Sequence, residues 1–397
     1  MGRNEQRARG LLVISEVALA LVLLVGAGLM LRTFEHLQAV DPGFDPHHVL
    51  TLEVAAGGKT YPSAEGRIRF FDQLRPRLES LPGVDSVGVI NHLPIGGDIW
   101  TLDIAIEGRP LQPPGQEFGA AYRVVQPGYF HTMSIPLLRG RDFSAHDIAG
   151  VTPVVIVNEA LAKHHWPGGD PVGQRISLDL KTWMTIVGVS RNVKQSDWVA
   201  NPNDEIYLPH AQSKALQFNS MTVVLRAHGD PLALRKAVEE QVRSLDKDVP
   251  IAHAQSMEQV IADKLWRGRL AMTLLGLFAG VAVTLAALGI YGAISYSVAQ
   301  RTSEIGIRMA LGARSADVLL MVLRQGLAVA GIGVGIGLLG AWMLTRTLAG
   351  LLYGVTATDP VTFVAVTALL IALSTVACCV PALRAAKVDP VTALRIW

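Results

Sequence analysis

The sequence predicts an α-helical membrane domain of four transmembrane helices, arranged one plus three, with a large α+β extracytoplasmic domain inserted between helices 1 and 2. Three observations predict it. Half of the 397 residues are hydrophobic and only 17% are charged, with a mean hydropathy of +0.35. Four stretches reach the roughly 20 apolar residues that a bilayer requires: Leu11 to Leu31, Leu270 to Val298, Val318 to Leu344 and Val361 to Val380. Between the first and second lie roughly 240 residues of ordinary globular composition, enough to bury a core.

Charge placement orients the helices. Arg3, Arg7 and Arg9 precede the first span, Arg301, Arg308 and Arg314 separate the second from the third, and Arg384, Lys387 and Arg395 follow the fourth. All three groups fall on one side, which should be cytoplasmic. Arg324 is near enough to that side to snorkel there, while Arg32, Lys264, Arg267, Arg269 and Arg346 weaken the bias without reversing it. A net charge of +2 is too small to imply a nucleic-acid partner, no basic run interleaved with aromatics appears, and no such partner is expected.

Residues 1–10 are then a cytoplasmic N-terminus and 11–31 helix 1. A basic start followed by an apolar run and Gly26-Ala27-Gly28 also fits a signal peptide, although the apolar residues continue to Leu31 and suit a full span. Either way the following domain faces outward. Glu16 is the one acid inside a span, about a turn and a half deep, where water or headgroups can reach it; a proton or substrate role is the alternative.

In the outer domain, residues 32–269, Val49 to Ala55 reads as a strand. Ala64 to Leu81 reads as a helix with Ile68, Phe71, Leu74 and Leu78 on one side, kinked or split by Pro76 and ended by Pro82-Gly83. Val84 to Ile90 and Thr101 to Ile106 follow as strands. Later, Met221 to Arg226 is a strand, Pro231 to Leu245 a helix capped by Asp230, and Val249 to Ala254 another strand. These two similar pieces, about 45–118 and 216–262, flank a middle region of short strands and turns, about 119–215. A subdomain split by an insert is the simplest reading.

Helix 2 covers 270–298, and Gly276 with Gly280 gives it a small-xxx-small face. Residues 299–316 form a charged passage that no lipid-buried helix would tolerate. Arg301, Glu304 and Arg308 share one helical face and Ile305 and Met309 the next; Glu304 and Arg308 have the spacing of an ion pair. Gly312 breaks this amphipathic helix before Ser315 caps a new one with Asp317 in its first turn, making an elbow. In helix 3, residues 317–345, Gly331 with Gly335 and Gly333 with Gly337 give two overlapping small-residue faces, suited to packing inside one chain or to a dimer contact. After an outer loop, 346–360, helix 4 covers 361–380 and holds both cysteines, Cys378 and Cys379, as inert thiols; residues 381–397 are a cytoplasmic tail.

No catalytic, cofactor or metal site is expected. Gly57-Gly58-Lys59-Thr60 ends like a phosphate-binding loop, but Glu53 stands where the motif needs glycine and Tyr61-Pro62 follows in place of a helix. His47-His48 and His164-His165 are adjacent, so neither pair presents two ligands on one face, and both read as solvated loop residues. No serine has a Gly-x-Ser-x-Gly context.

The passage Arg301-Thr-Ser-Glu-Ile-Gly-Ile-Arg-Met-Ala-Leu-Gly-Ala313, the ending from Pro381 to Arg395 and the one-plus-three layout together resemble the MacB/FtsX-type permeases of ABC systems, over nearly the whole chain. Pro82-Gly83-Val84, Gly140-Arg-Asp-Phe143, Val157-Asn-Glu-Ala160 and Gly173-Gln174 are similar to that family's periplasmic core domain. More narrowly, the chain resembles one half of the duplicated orphan permeases first noted in acidobacteria.

The resemblance implies an outer domain of the MacB-like porter and sabre type, the split halves being the porter. It implies a non-enzymatic permease subunit in the cell inner membrane, with Arg301, Glu304, Ile305, Arg308, Gly312 and Ala313 as the helix that couples to a separate ABC ATPase. That partner binds the ATP, and its cycle would be transmitted to the outer domain by mechanotransmission, driving export or release of a substrate at the outer face. A second permease unit, as homodimer or sister half, membrane lipid, and a periplasmic adaptor or enzyme are the other implied partners. Two alternatives stay open: an FtsX-like signalling permease regulating an extracytoplasmic enzyme without transport, and a membrane-anchored sensor.

Overall fold

The computed structural model describes residues 3–38, 40–58, 60–96, 100–110, 113, 118–195, 202–214, 216, 218–311, 314–347 and 352–386. In chain order these form α1 (Arg3–Gln38), β1 (Val49–Val54), α2 (Ala64–Glu79), β2 (Val84–Ile90), β3 (Thr101–Ile106), β4 (Phe118–Val125), α3 (Tyr129–Thr132), β5 (Leu137–Gly140), β6 (Val154–Asn158) and α4 (Glu159–His165). They continue as β7 (Arg175–Ser177), β8 (Trp183–Ser190), β9 (Glu205–Pro209), β10 (Met221–Ala227), α5 (Arg235–Leu245), β11 (Ile251–Ser256), α6 (Met257–Gln300), α7 (Thr302–Ala310), α8 (Ser315–Thr347) and α9 (Pro360–Ala386). Two compact units result, one from Val40–Leu265 and one from Met1–Ala39 with Trp266–Trp397.

In the first unit, strands from both ends of the segment share one sheet, in the order β11-β1-β10-β2. β1 runs antiparallel to β10 from Val49↔Arg226 to Val54↔Met221, and β10 pairs antiparallel with β2. Continuity with the middle region rests on a single β2–β4 pairing, Ile90↔Val125. From β4 the path runs β3, β7, β8, β6 and β9, and β9 then pairs in parallel with β4 along Ala121↔Glu205 to Val125↔Pro209. Those six strands therefore close on themselves, which removes the free edges that short strands would otherwise expose. Sequence periodicity foresaw short strands here but not their closure.

Alternation along the strands sorts the core. Ile104 and Ile106, Ala120, Tyr122 and Val124, Val155 and Val157, Ile186, and Ile206 and Leu208 belong to one buried cluster, which continues into Leu50, Leu52, Val87, Val89, Val223 and Leu225 of the open sheet. α2 and α5 contribute Phe70, Phe71, Leu74, Leu78, Val238 and Val242 to the same cluster. The opposite parity packs against α3 through Ile90, Val125, Tyr207, Val224, Tyr129 and Phe130.

Several expectations are corrected. α2 runs without a break through Pro76, which lies in its last turn and costs it one backbone bond, the one its missing N–H would give to the Asp72 carbonyl. Its buried face takes in Phe70 and Arg67, with Ile68 only half-buried. The single helix expected from Pro231 is a 3-10 turn, Pro231–Leu234, capped by Asp230, followed by α5. The strand expected at Val249 starts at Ile251, since Pro250 has no N–H to give to a ladder.

In the second unit, four helices are long and apolar enough to cross a membrane: Ala8–Leu37, Gly268–Gln300, Ser315–Thr347 and Pro360–Ala385. Val17, Leu21 and Val25 of α1, Ala286, Ile290 and Ile294 of α6, Val322, Ala330 and Val334 of α8, and Leu370 and Cys378 of α9 share its core. Two glycines of α8 let α1 approach closely. A Cβ on Gly333 would meet Val17 Cβ at 2.8 Å, and one on Gly337 would meet Leu21 Cβ at 2.9 Å. Glu16 is half-buried: its side chain lies against Gly289, and one oxygen, Oε2, is buried with no hydrogen-bond partner among the described residues.

Candidate functional site

The charged passage folds as a helix of its own. α6 ends at Gln300, Arg301 occupies the cap position of α7 with φ −107° and ψ 17°, and Thr302 Oγ1 donates back to Val298 O and Ala299 O. Those backbone carbonyls are among the orphans of the α6 C-terminus, so the threonine ties the two helices at the bend. Along α7 the Arg308 guanidinium meets Glu304 at 2.7 Å, with both side chains half exposed, and donates to Met321 Sδ at 3.4 Å. The second arm begins at Arg314, whose N–H donates to Asp317 Oδ2 at 3.1 Å. Ser315 is thus the first helical residue rather than the cap, and the carboxylate of Asp317, reaching back three residues, satisfies the helix start. Gly312 and Ala313 lie outside the described residues.

The charged and apolar faces of α7 fall where the sequence puts them, with Glu304 and Arg308 on one and Ile305 and Met309 on the other. Ile305 is 2% exposed and belongs to the membrane core, with Met309 packed against it. Ile305 therefore anchors the helix in the membrane unit. Outward, Ile307 is 48% exposed and Leu311 82% exposed. Glu304, Ile307, Arg308 and Leu311 recur at i, i+3, i+4 and i+7, a continuous stripe of one ion pair flanked by two bare aliphatic side chains. The signal was present in the sequence, because Ile307 and Leu311 fall on the Glu304 side of the helical wheel. It was missed because aliphatic residues beside a span read as core.

The packing glycines also divide. Gly333 and Gly337 are buried against α1, whereas Gly276, Gly280, Gly331 and Gly335 have open space where a Cβ would stand.

In the first unit, the histidine pairs are not both solvated. His47 is exposed and meets Glu258 at 2.7 Å, but His165 is buried at the end of α4, and Asp204 bridges His164 Nδ1 at 2.8 Å and His165 Nε2 at 3.2 Å. Burial works to raise the Asp204 pKa, but the hydrogen bonds from both histidines outweigh it and hold the carboxyl below its ordinary value. Next to it lies a network of buried Arg123, Glu205 and Tyr207 with half-buried Gln195 that no sequence pattern announced. Arg123 Nε donates to Glu205 Oε1 at 3.1 Å, Tyr207 Oη donates to Glu205 Oε2 at 2.9 Å, and Gln195 donates to Glu205 and accepts from Arg123. The ion pair joins the parallel strands β4 and β9 where the six-strand ring closes. Its partners satisfy the charges, so it acts as a strut rather than a reactive centre.

Comparison with known proteins covers both units. Residues 12–241 match the MacB-like periplasmic core domain, and residues 276–390 match the FtsX-like permease C-terminal domain. The macrolide export ATP-binding/permease protein MacB of Rhodopseudomonas palustris is 28% identical over 236 residues, which is 57% of this chain and 35% of that protein. An uncharacterized ABC transporter permease of Bacillus subtilis, YknZ, is 25% identical over 290 residues, covering 70% of this chain and 71% of that one. The chain spans about a third of the length of the first curated relatives it matches. Among solved structures, the periplasmic region of MacB from Actinobacillus actinomycetemcomitans aligns with 58% of this chain and 97% of its own, at 16% identity and a TM-score of 0.37.

Proposed function

The chain belongs to the FtsX-like permeases with a MacB-like periplasmic core domain, and we propose that it is the permease subunit through which a separate ABC ATPase moves that domain. The observation that carries this reading is the outer stripe of α7. Exposed aliphatic side chains flanking an ion pair are costly to leave in water, and a protein partner that covers Ile307 and Leu311 would gain roughly 1.5–3 kcal/mol from each. The stripe lies on a short helix pinned at both ends, by Thr302 to α6 and by the Arg308–Met321 contact to α8. Force applied to α7 would therefore reach two spans at once, and α6 runs without a break from Met257 to Gln300. That continuity supports a reading in which motion is transmitted to the periplasmic domain, with export or release of a substrate there.

In this reading ATP is bound by the partner and the chain itself catalyses nothing. A second permease unit in the inner membrane completes the working pair, and the open glycines Gly331 and Gly335 support it by letting a neighbouring helix approach closely. The test is co-purification with a co-expressed ABC ATPase. Ile307→Ser with Leu311→Ser should weaken recovery at least tenfold, and Glu304→Gln with Arg308→Gln should weaken it less. Unchanged recovery with both double variants would remove α7 as the docking element.

A further inference from the structure

We propose that the hollow between α1, α6 and α8, at the end of the bundle where α1 begins and α6 ends, is a binding site for the phosphate of an anionic phospholipid. The hollow measures about 130 Å³ and has a polar rim of Arg9, Arg301, Gln325, Ser297 and Tyr296. Its floor is apolar, formed by Val13, Ile290, Ile294 and Val329. That volume holds several waters and leaves room for a phosphate group.

The two arginines give the site its chemistry. Arg9 and Arg301 are both exposed, and neither has a carboxylate partner among the described residues. The Arg9 guanidinium carbon stands 4.0 Å from the centroid of the Tyr296 ring. Stacking occupies the face of the guanidinium and leaves its edge N–H groups free, the arrangement that grips a phosphate with two parallel hydrogen bonds. The ring is itself held, since Gln300 Nε2 donates to Tyr296 Oη at 2.8 Å. Across the rim Gln325 Nε2 donates to Ser297 Oγ at 3.3 Å, joining α8 to α6 beside the hollow.

Location decides between a lipid and a soluble anion. The rim lies at the ends of apolar spans, because Ala8–Leu37 and Gly268–Gln300 are the crossing segments and Arg9 and Arg301 fall at their termini. Headgroups occupy that level, and basic pockets between transmembrane helices on the cytoplasmic side are suited to them. A polar rim above an aliphatic floor matches a phosphate continuing into acyl chains, whereas a free phosphate would leave the floor uncovered. None of the described residues that line the hollow is acidic, and Glu16, seven residues beyond Arg9 and about 10 Å along α1, lies outside it.

The test uses the full chain purified in mild detergent and native mass spectrometry with equal amounts of phosphatidylglycerol and phosphatidylcholine. Phosphatidylglycerol adducts should exceed phosphatidylcholine adducts several-fold, and the excess should shrink as salt is raised. Arg9→Gln with Arg301→Gln should abolish it, and Arg9→Lys with Arg301→Lys should keep part of it. Equal retention of the two lipids by the unaltered chain would overturn the proposal, whether or not the glutamine variant folds. So would an unchanged preference in a folded glutamine variant. Inorganic phosphate at 10 mM should not displace phosphatidylglycerol; full displacement would overturn the lipid assignment and leave a soluble-anion site. No ATPase is present in the measurement, so its result does not depend on the docking role of α7.

Discussion

Two double substitutions of identical composition, Gly333→Ala with Gly337→Ala and Gly331→Ala with Gly335→Ala, should have opposite effects on the membrane unit. On the buried face the new methyl carbons would stand 2.8 Å from Val17 Cβ and 3.0 Å from Ile14 O, and 2.9 Å from Leu21 Cβ and 3.0 Å from Ala18 O. Carbon atoms rest about 3.5–4.0 Å apart, so α1 and α8 must separate by nearly 1 Å. Two of the four contacts are to backbone oxygens, which no rotamer change can move. Overpacking of this kind costs about 1–3 kcal/mol per site, against the roughly 1 kcal/mol that alanine gains over glycine inside a helix. On the open face nothing lies within 4 Å at Gly331 or Gly335, and only the helix gain remains. Since propensity cancels between the pairs, their stabilities should differ by at least about 2 kcal/mol. Thermal unfolding of the purified chain in detergent reads this directly: the melting temperature should fall for the first pair and hold or rise for the second. Equal shifts would refute the assignment of faces.

Other outcomes follow from the same reasoning. Gly326→Ala should destabilise the α8–α9 contact because its Cβ would overlap the Cys378 sulfur, and Cys378→Ala should restore it; the four-member cycle is measured by melting temperature. His210 is buried, and desolvation first, then the Arg67 charge, lowers its pKa to about 4. An unfolded histidine takes up its proton near pH 6.5 and the folded one does not. Stability of the outer unit is therefore complete above pH 6.5 and should fall by up to about 3 kcal/mol as pH drops toward 4. His210→Gln should flatten that part of the urea-denaturation profile. Arg123→Met leaves Glu205 buried without its cation and should cost about 3–5 kcal/mol, while the double variant with Glu205→Leu should recover much of it. A double-mutant cycle in urea gives the coupling, and additive losses would contradict the strut.

The sequence by itself determined the one-plus-three helices, the split outer sheet and the Glu304–Arg308 pair, because each depends on local composition or on spacing within one element. It also placed Gly331, Gly333, Gly335 and Gly337 on two faces of α8. Tertiary structure decided which face meets α1, since periodicity shows that faces exist but not what covers them. The same limit hid the division of α7, where Ile305 and Ile307 are the same residue type two positions apart and only packing buries the first. His165, Asp204, Arg123 and Glu205 were illegible for another reason. Two of their contacts span 39 and 82 residues, and only the pairing of β9 with β6 and with β4 brings them together.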